Sequence, residues 1–489
     1  MAENTPLTLA DARHLLRRTG FGATANDAQG LMNANTTRGD AADSLIDFKP
    51  SRFRPGGRYI ADVHNKWVKY MTKTRLQLQE KLVLFWHDHF AASYDKVDDI
   101  DLMRNQNRLF RLNCKGDFSV LVKAVNKDAA MMEFLDTVRN RRNDPNENYG
   151  RELQELFTLG VKDLLGNANY EQQDVLQIAR AFTGWDYDDK GVAEFHDGRH
   201  DYEEDYPQRG PKRIFKTTGG FGASGADYTS NGEGPQEIDT VIDIILQHRY
   251  GPQLRTTAAD YIANKLITYF AHPSPSMTFV HDVVDDSGFA SNWDIAGLLK
   301  QIFVHDEFYL SAAAASGSVP KSVKWPIDFT VSAVRLLHMR LKGKYQSTQG
   351  GSYATVRDHL TNMGQILLEP PSVFGWDWEL SWMSSSTLLA RYGFARDLIA
   401  SRDGGSTSFR PEKVMGLDLT DAGDIVDAVA TVLGIEDQLA AADRTALINY
   451  LTDNGLPTTP VDLQDEDTRE RKLHGLFGLM LQSPAFQLQ

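Results

Sequence analysis

"TRLQLQEKLVLFWHDHF" occupies residues 74–90, and its apolar residues recur at helical spacing up to the last turn. Wound as one continuous helix, it sets His89 among Leu82, Phe85 and Trp86 on an apolar side. His87 then points about 160° away, beside Glu80. Two residues apart on a regular helix, these imidazoles cannot ligate one ion unless the helix ends near Trp86. His89 is the more informative of the two. A core-facing imidazole needs a partner, and either a carboxylate such as Glu152 or a backbone carbonyl would serve.

Working outward, the same periodicity recurs in "LADARHLLRRTGF", "FSVLVKAVNKDAAMMEFL", "QDVLQIARAFTGW", "AADYIANKLITYFA", "PIDFTVSAVRLLHM" and "ERKLHGLFGLMLQSPAF". Strand-like alternation is scarce, so the expected class is all-α, a large multi-helix globular domain. One exception runs from 185 to 234, a Gly-, Asp- and aromatic-rich insertion too long for an ordinary connector, with "RIF" as a candidate strand. Irregular stretches at 342–356 and 401–413 are expected surface loops. The latter separates a main helical body, 1–402, from a small helical C-terminal unit, 403–489. No internal repeat is present.

The net charge of −14 is spread along the chain, which argues against nucleic acid or an anionic membrane surface as the main partner. A single cysteine, Cys114, excludes a disulfide framework and a cysteine-based zinc site. No stretch approaches the length of an apolar membrane span, and the first residues lack the apolar core of a signal peptide, so a soluble chain is expected. Phosphate-cradling, dinucleotide and nucleophile-elbow motifs are absent; "GGFGASG" (219–225) is Gly-rich but lacks a flanking strand.

A second polar segment, "DPNENYGRELQELFTLG" (144–160), reads as a helix capped by Asp144, with Pro145 first, Glu147 completing a capping box and Gly160 as the stop. On it Asn148, Arg151, Glu152 and Glu155 share a face about 100° wide. Two carboxylates on one stripe do acid–base chemistry when their surroundings push their pKa values apart. The bland alternative is an Arg151–Glu155 pair and a Glu152 tied to a neighbouring helix.

Together, "LLRRTGFGAT" (15–24), "EKLVLFWHDHFAAS" (80–93), "NENYGRELQELFTLGV" (146–161), "YEQQDVLQIARAFTGW" (170–185), "VKWPIDFTVSAVRLL" (323–337) and "MGQILLEPPSVFGWDWELSWMSSSTLLAR" (363–391) resemble the bacterial family called domain of unknown function 1800. The resemblance spans nearly the whole chain and is weakest over 404–465. It implies a secreted or periplasmic protein, with the cytoplasm as the alternative, working beside a phosphatase- or sulfatase-like partner protein. The family's His-Asp and Gly-x-Lys pattern corresponds to His200-Asp201 and Lys212, with His196-Asp197 as rival. Gln172 stands where similar proteins carry glutamate, so that position is not an indispensable carboxylate; Asp174 and Arg180 remain.

Three functions compete on these grounds. The first is a hydrolase of extracellular or envelope polysaccharide, since glycosidases set two carboxyl groups about 5 to 10 Å apart across the sugar. Its catalytic set is Glu152 as acid, Glu155, Asp174 or Asp201 as base or nucleophile, and His89 and Arg151 tuning them. Asn148, His87, Arg180, Trp185, His200, Asp201 and Trp376 would contact the carbohydrate. No cofactor is assigned to it. The second is a metal-dependent enzyme that binds a divalent ion through His87, His89, Glu152 and His200. The third is a non-catalytic envelope assembly protein whose polar motifs clamp helices together.

Overall fold

Apolar spacing of the kind above commits most of the chain to helices, and the computed structural model bears out an all-α class with only two-stranded β-ladders. It describes residues 2–202, 210–228, 233–310, 321–339, 341, 345–346, 353–400 and 409–489. The helices that position the site are α1 (Leu9–Thr19), α2 (Gln77–His89), α3 (Ile100–Asn113), α4 (Asn148–Glu152), α5 (Gln172–Ala181), α6 (Glu237–Leu246), α7 (Thr257–Phe270), α8 (Pro326–Leu336), α9 (Ser385–Ile399) and α10 (His474–Gln482).

At the centre lies α2. Every side chain from Leu78 to His89 is buried, charged ones included, so this helix is enclosed on its polar side as well as on its apolar one. The wheel's polar side is covered because other elements bring it partners. Arg111 of α3 reaches Glu80 with both terminal nitrogens, and the Trp67 indole N–H donates to Glu80 Oε2 at 2.9 Å. Lys81 pairs with Asp328 of α8 at 2.7 Å, both fully enclosed. His87 accepts the Leu368 N–H at 3.0 Å and packs edge-on to Trp376, which removes it from solvent.

The two ends of the chain close onto this body. Arg18 of α1 donates to the Phe270 and Tyr269 carbonyls at the end of α7. Near the C-terminus, α10 packs on α9, Arg391 donates to Gln487 at 3.0 Å, and Val323 bridges Leu488 just ahead of α8. The 185–234 insertion carries the expected short arms: Trp185–Tyr187 pairs with Ala193–Phe195, and Arg213–Ile214 pairs with Ala226–Asp227. The boundary expected at 402–403 and most of the 342–356 loop lie outside the described residues. Among the described residues, no helix is long and apolar enough to cross a membrane.

Removing one partner of a buried ion pair strands the other charge in low dielectric, so Arg111→Ala is expected to cost ~3–5 kcal/mol. Urea unfolding followed by circular dichroism measures it; a loss comparable to a surface pair, under about 1 kcal/mol, would show that Glu80 is not held as described.

Candidate functional site

The polar segment at 144–160 begins later than its capping signals suggest. Asn140 accepts the Asn146 N–H at 2.8 Å and donates to the Ala179 carbonyl at 2.9 Å, holding residues 140–147 as a loop. Asp144 bridges back to Arg141, and α4 starts only at Asn148. Beyond Glu152 the helix widens into a π-turn, Leu153–Thr158, in which the Thr158 hydroxyl bonds the Leu153 carbonyl five residues back. The extra residue in that turn breaks the 100° register used to place Glu155. Gly160, at φ +78°, ends the segment.

On this frame Arg151 pairs with Glu147 at 2.9 Å, not with Glu155, and donates to Gln172 Oε1 at 3.0 Å. Gln172 returns its amide N–H to Glu147 at 2.7 Å, a donor–acceptor role that a glutamate could not fill. Glu155 accepts the Tyr170 hydroxyl at 2.8 Å. Glu152 is half-buried, and its carboxyl has no hydrogen-bond partner among the described residues. Burial first, then the charge of Glu155, push its pKa up to about 7, against a smaller opposing pull from Arg151. Asn148 stands exposed at the start of this strip.

His89 meets the π-turn from below the surface, and not through Glu152. Its Nε2 lies 3.1 Å from the Phe157 carbonyl, which only accepts, so that nitrogen carries the proton. The free Nδ1 faces Lys265 Nζ of α7 at 3.4 Å. Burial lowers the proton affinity of both His89 and Lys265, while Asp88 pulls Lys265 back up. Asp88, held by the Trp376 N–H at 2.7 Å and the Trp378 indole at 3.0 Å, is raised to about 7 chiefly by burial. Tyr261, one turn before Lys265, donates to the Leu156 carbonyl at 3.0 Å. Sequence reasoning passed over Asp88, Lys265, Tyr170 and Tyr261. The available signal was the i, i+4 spacing of Tyr261 and Lys265 and the carboxylate lodged between two histidines.

The remaining candidates lie elsewhere. Arg180 pairs with Asp201 at 3.1 Å, Lys212 with Glu237 at 2.7 Å, and His200 Nε2 sits 2.8 Å from the same Glu237 carboxylate. All five are buried, and together they fasten the insertion to α5 and α6. Arg180, His200 and Asp201 therefore face inward and do not join the glutamate strip as substrate contacts. Asp174 uses its two oxygens on the Glu171 and Phe215 backbone N–H groups, which makes it a cap for α5 and a tether for the insertion. Trp185 and Trp376 are buried as well, the first against Lys127 and Phe195, the second against His87 and Trp325. Neither offers a sugar platform. Among the described residues no three His, Cys, Asp or Glu side chains group to hold a metal ion, and His87, His89 and His200 each spend a ring nitrogen on the partners just named.

The molecule is thus a helical protein in which Glu152, at the end of α4, and Glu155, in the π-turn, lie near a set formed by His89, Lys265 and Asp88. Residues 14–488 match the family model described as "Protein of unknown function (DUF1800)", and the chain belongs to that family. No curated protein and no solved structure matches it.

Asp201→Ala leaves the Arg180 guanidinium buried without its carboxylate, and a loss of ~3–5 kcal/mol is expected. Limited proteolysis should then cut the insertion first; equal protection of wild type and variant would contradict the clamp.

Proposed function

We propose that this protein is a bacterial hydrolase that cleaves an extracellular or envelope polysaccharide with paired carboxyl groups. One observation carries the proposal: Glu152 presents a half-buried carboxyl, without a hydrogen-bond partner among the described residues, whose pKa burial and Glu155 push up to about 7. A carboxyl protonated near neutrality beside an ionised one is the division of labour that acid-assisted glycoside cleavage needs. Only two residues separate Glu152 from Glu155, and the charge of Glu155 raises the Glu152 pKa; a close pair suits direct attack better than the wider gap that admits a water.

In this scheme Glu152 gives its proton to the leaving oxygen as the glycosidic C–O bond breaks, and the Glu155 carboxylate bonds to the sugar carbon. Water then attacks that carbon, passes a proton to Glu152 and frees Glu155. Tyr170 holds Glu155 in place, and Arg151 moderates the rise in the Glu152 pKa. The exported location and a phosphatase- or sulfatase-like partner follow from the family resemblance.

The buried network at Arg180, His200, Asp201, Lys212 and Glu237 favours a second reading, a non-catalytic envelope assembly protein. Glu152→Gln separates the two. A hydrolase should lose activity by roughly 10²–10⁴-fold in a reducing-sugar assay on bacterial envelope polysaccharides, with an unchanged melting temperature. Wild-type activity should fall as pH rises through about 7, because the acid form of Glu152 is then lost. A wild type without activity on these polymers, and a variant melting several degrees lower, would give the assembly reading the better claim.

A further inference from the structure

A pocket of about 250 Å³ opens between the loop that follows the π-turn, the Gly-rich part of the insertion and the hairpin after α6. Its polar atoms are unevenly used. The Asn169 amide donates to the Leu159 and Gly160 carbonyls at 2.8 and 3.0 Å, which fixes its orientation and leaves Oδ1 as an acceptor. That Oδ1 and the Thr218 hydroxyl oxygen are both buried with no hydrogen-bond partner among the described residues. A native fold rarely leaves two such atoms beside one cavity unless something else satisfies them.

The charged groups on the same wall are already engaged. Asp163 Oδ1 accepts the Leu165 and Asn167 N–H groups at 2.8 and 2.9 Å, and Arg249 donates to the Thr256 hydroxyl. The His248 ring is buried, with Nδ1 2.7 Å from the Thr257 hydroxyl. Gly219 lets the insertion pass over that ring, since a Cβ there would lie 2.6 Å from His248 Cδ2. What stays open among the described residues is one acceptor, one hydroxyl and His248 Nε2, which is also buried without a partner; burial lowers the His248 pKa to about 4, so all three are uncharged, a set that a neutral ligand rich in O–H groups can meet. The pocket is linked to the glutamates through the chain: Asn169 immediately precedes Tyr170, whose hydroxyl holds Glu155.

We propose that this pocket is a subsite for one neutral sugar ring, whose hydroxyls donate to Asn169 Oδ1 and exchange hydrogen bonds with the Thr218 hydroxyl. The assignment rests on the hydrolase reading for its place along a polymer. The pocket fixes the substrate class more narrowly, as uncharged at the unit it holds.

The full chain carrying Glu152→Gln, alone and with Thr218→Val or Ala168→Trp, is titrated with cellotriose, maltotriose and chitotriose by saturation-transfer NMR. Ala168 lines the pocket and is exposed, so the indole fills the space without disturbing the core. At least one trisaccharide should bind, with Kd raised roughly 2- to 13-fold by Thr218→Val, the range for one lost hydrogen bond. Ala168→Trp should abolish the signal. No saturation transfer from any of the three at millimolar concentration, or transfer unaffected by both substitutions, overturns the subsite. Binding lost in Ala168→Trp while the wild type hydrolyses none of the polymers keeps the subsite and removes the hydrolase. Hydrolysis with kcat and KM unchanged by both pocket substitutions does the reverse.

Discussion

Five ionisable side chains on one buried helix, Glu80, Lys81, His87, Asp88 and His89, impose the condition that the rest of the fold satisfies. An unpaired charge in that position is penalised by several kcal/mol, far more than ordinary apolar packing at one residue returns. The five are met from several stretches of chain: Arg111 and Trp67, Asp328, one loop that supplies the Leu368 amide to His87 and Trp376 with Trp378 to Asp88, and Phe157 with Lys265. The helix thereby specifies which elements surround it, and in what order, more sharply than its leucines could. Apolar side chains accept many neighbours, whereas a buried carboxylate accepts few.

The loop "LLEPPSVFGWDW" shows how far that demand reaches. Its backbone amides at Leu367, Leu368 and Trp376 donate in turn to His64, His87 and Asp88. The Leu368 carbonyl takes the Tyr94 N–H at 2.8 Å. Gly375 passes so close that a Cβ would lie 2.3 Å from Asp88 Oδ1, and its φ of +79° is one that side chains seldom adopt. The aromatic residues of this loop are therefore part of the core's polar accounting.

The helical class was legible because period 3.6 runs through most of the chain, and the nearness of Glu152 to Glu155 because only two residues separate them. Partners were not legible. Arg151 with Glu147 in place of Glu155 depends on the late start of α4, which Asn140 sets by reaching across to Ala179. The inward turn of His200 and Asp201 depends on Glu237 and Arg180, tens of residues away, and no local pattern encodes that. The phase of Glu155 depends on a π-turn, which hydrophobic spacing does not announce. His87 illustrates the general difficulty. A helical wheel separates apolar from polar sides, but it cannot tell a polar side facing water from one facing a backbone amide.

Asp88 and Glu152 both have pKa values near 7, yet only one is suited to chemistry. Asp88 is enclosed, and both its oxygens are committed to N–H donors, so its raised value is a cost borne by the fold. Its folded state holds the proton more tightly than the unfolded chain does. The stability it lends is thus complete at low pH and drains away as pH climbs from about 4 through 7. Adjacent His87, lowered to about 3 by burial, works the other way: its stability is complete above about 6.5 and is lost as pH falls toward 3. Over the acidic range these two slopes oppose each other, and both belong to enclosed groups, not to a surface group that substrate can reach. Glu152, half-exposed and bonded to nothing among the described residues, is that surface group. A perturbed proton affinity marks a reacting residue only where solvent and substrate can reach it. Access, not the size of the shift, separates the proposed acid from the anchor.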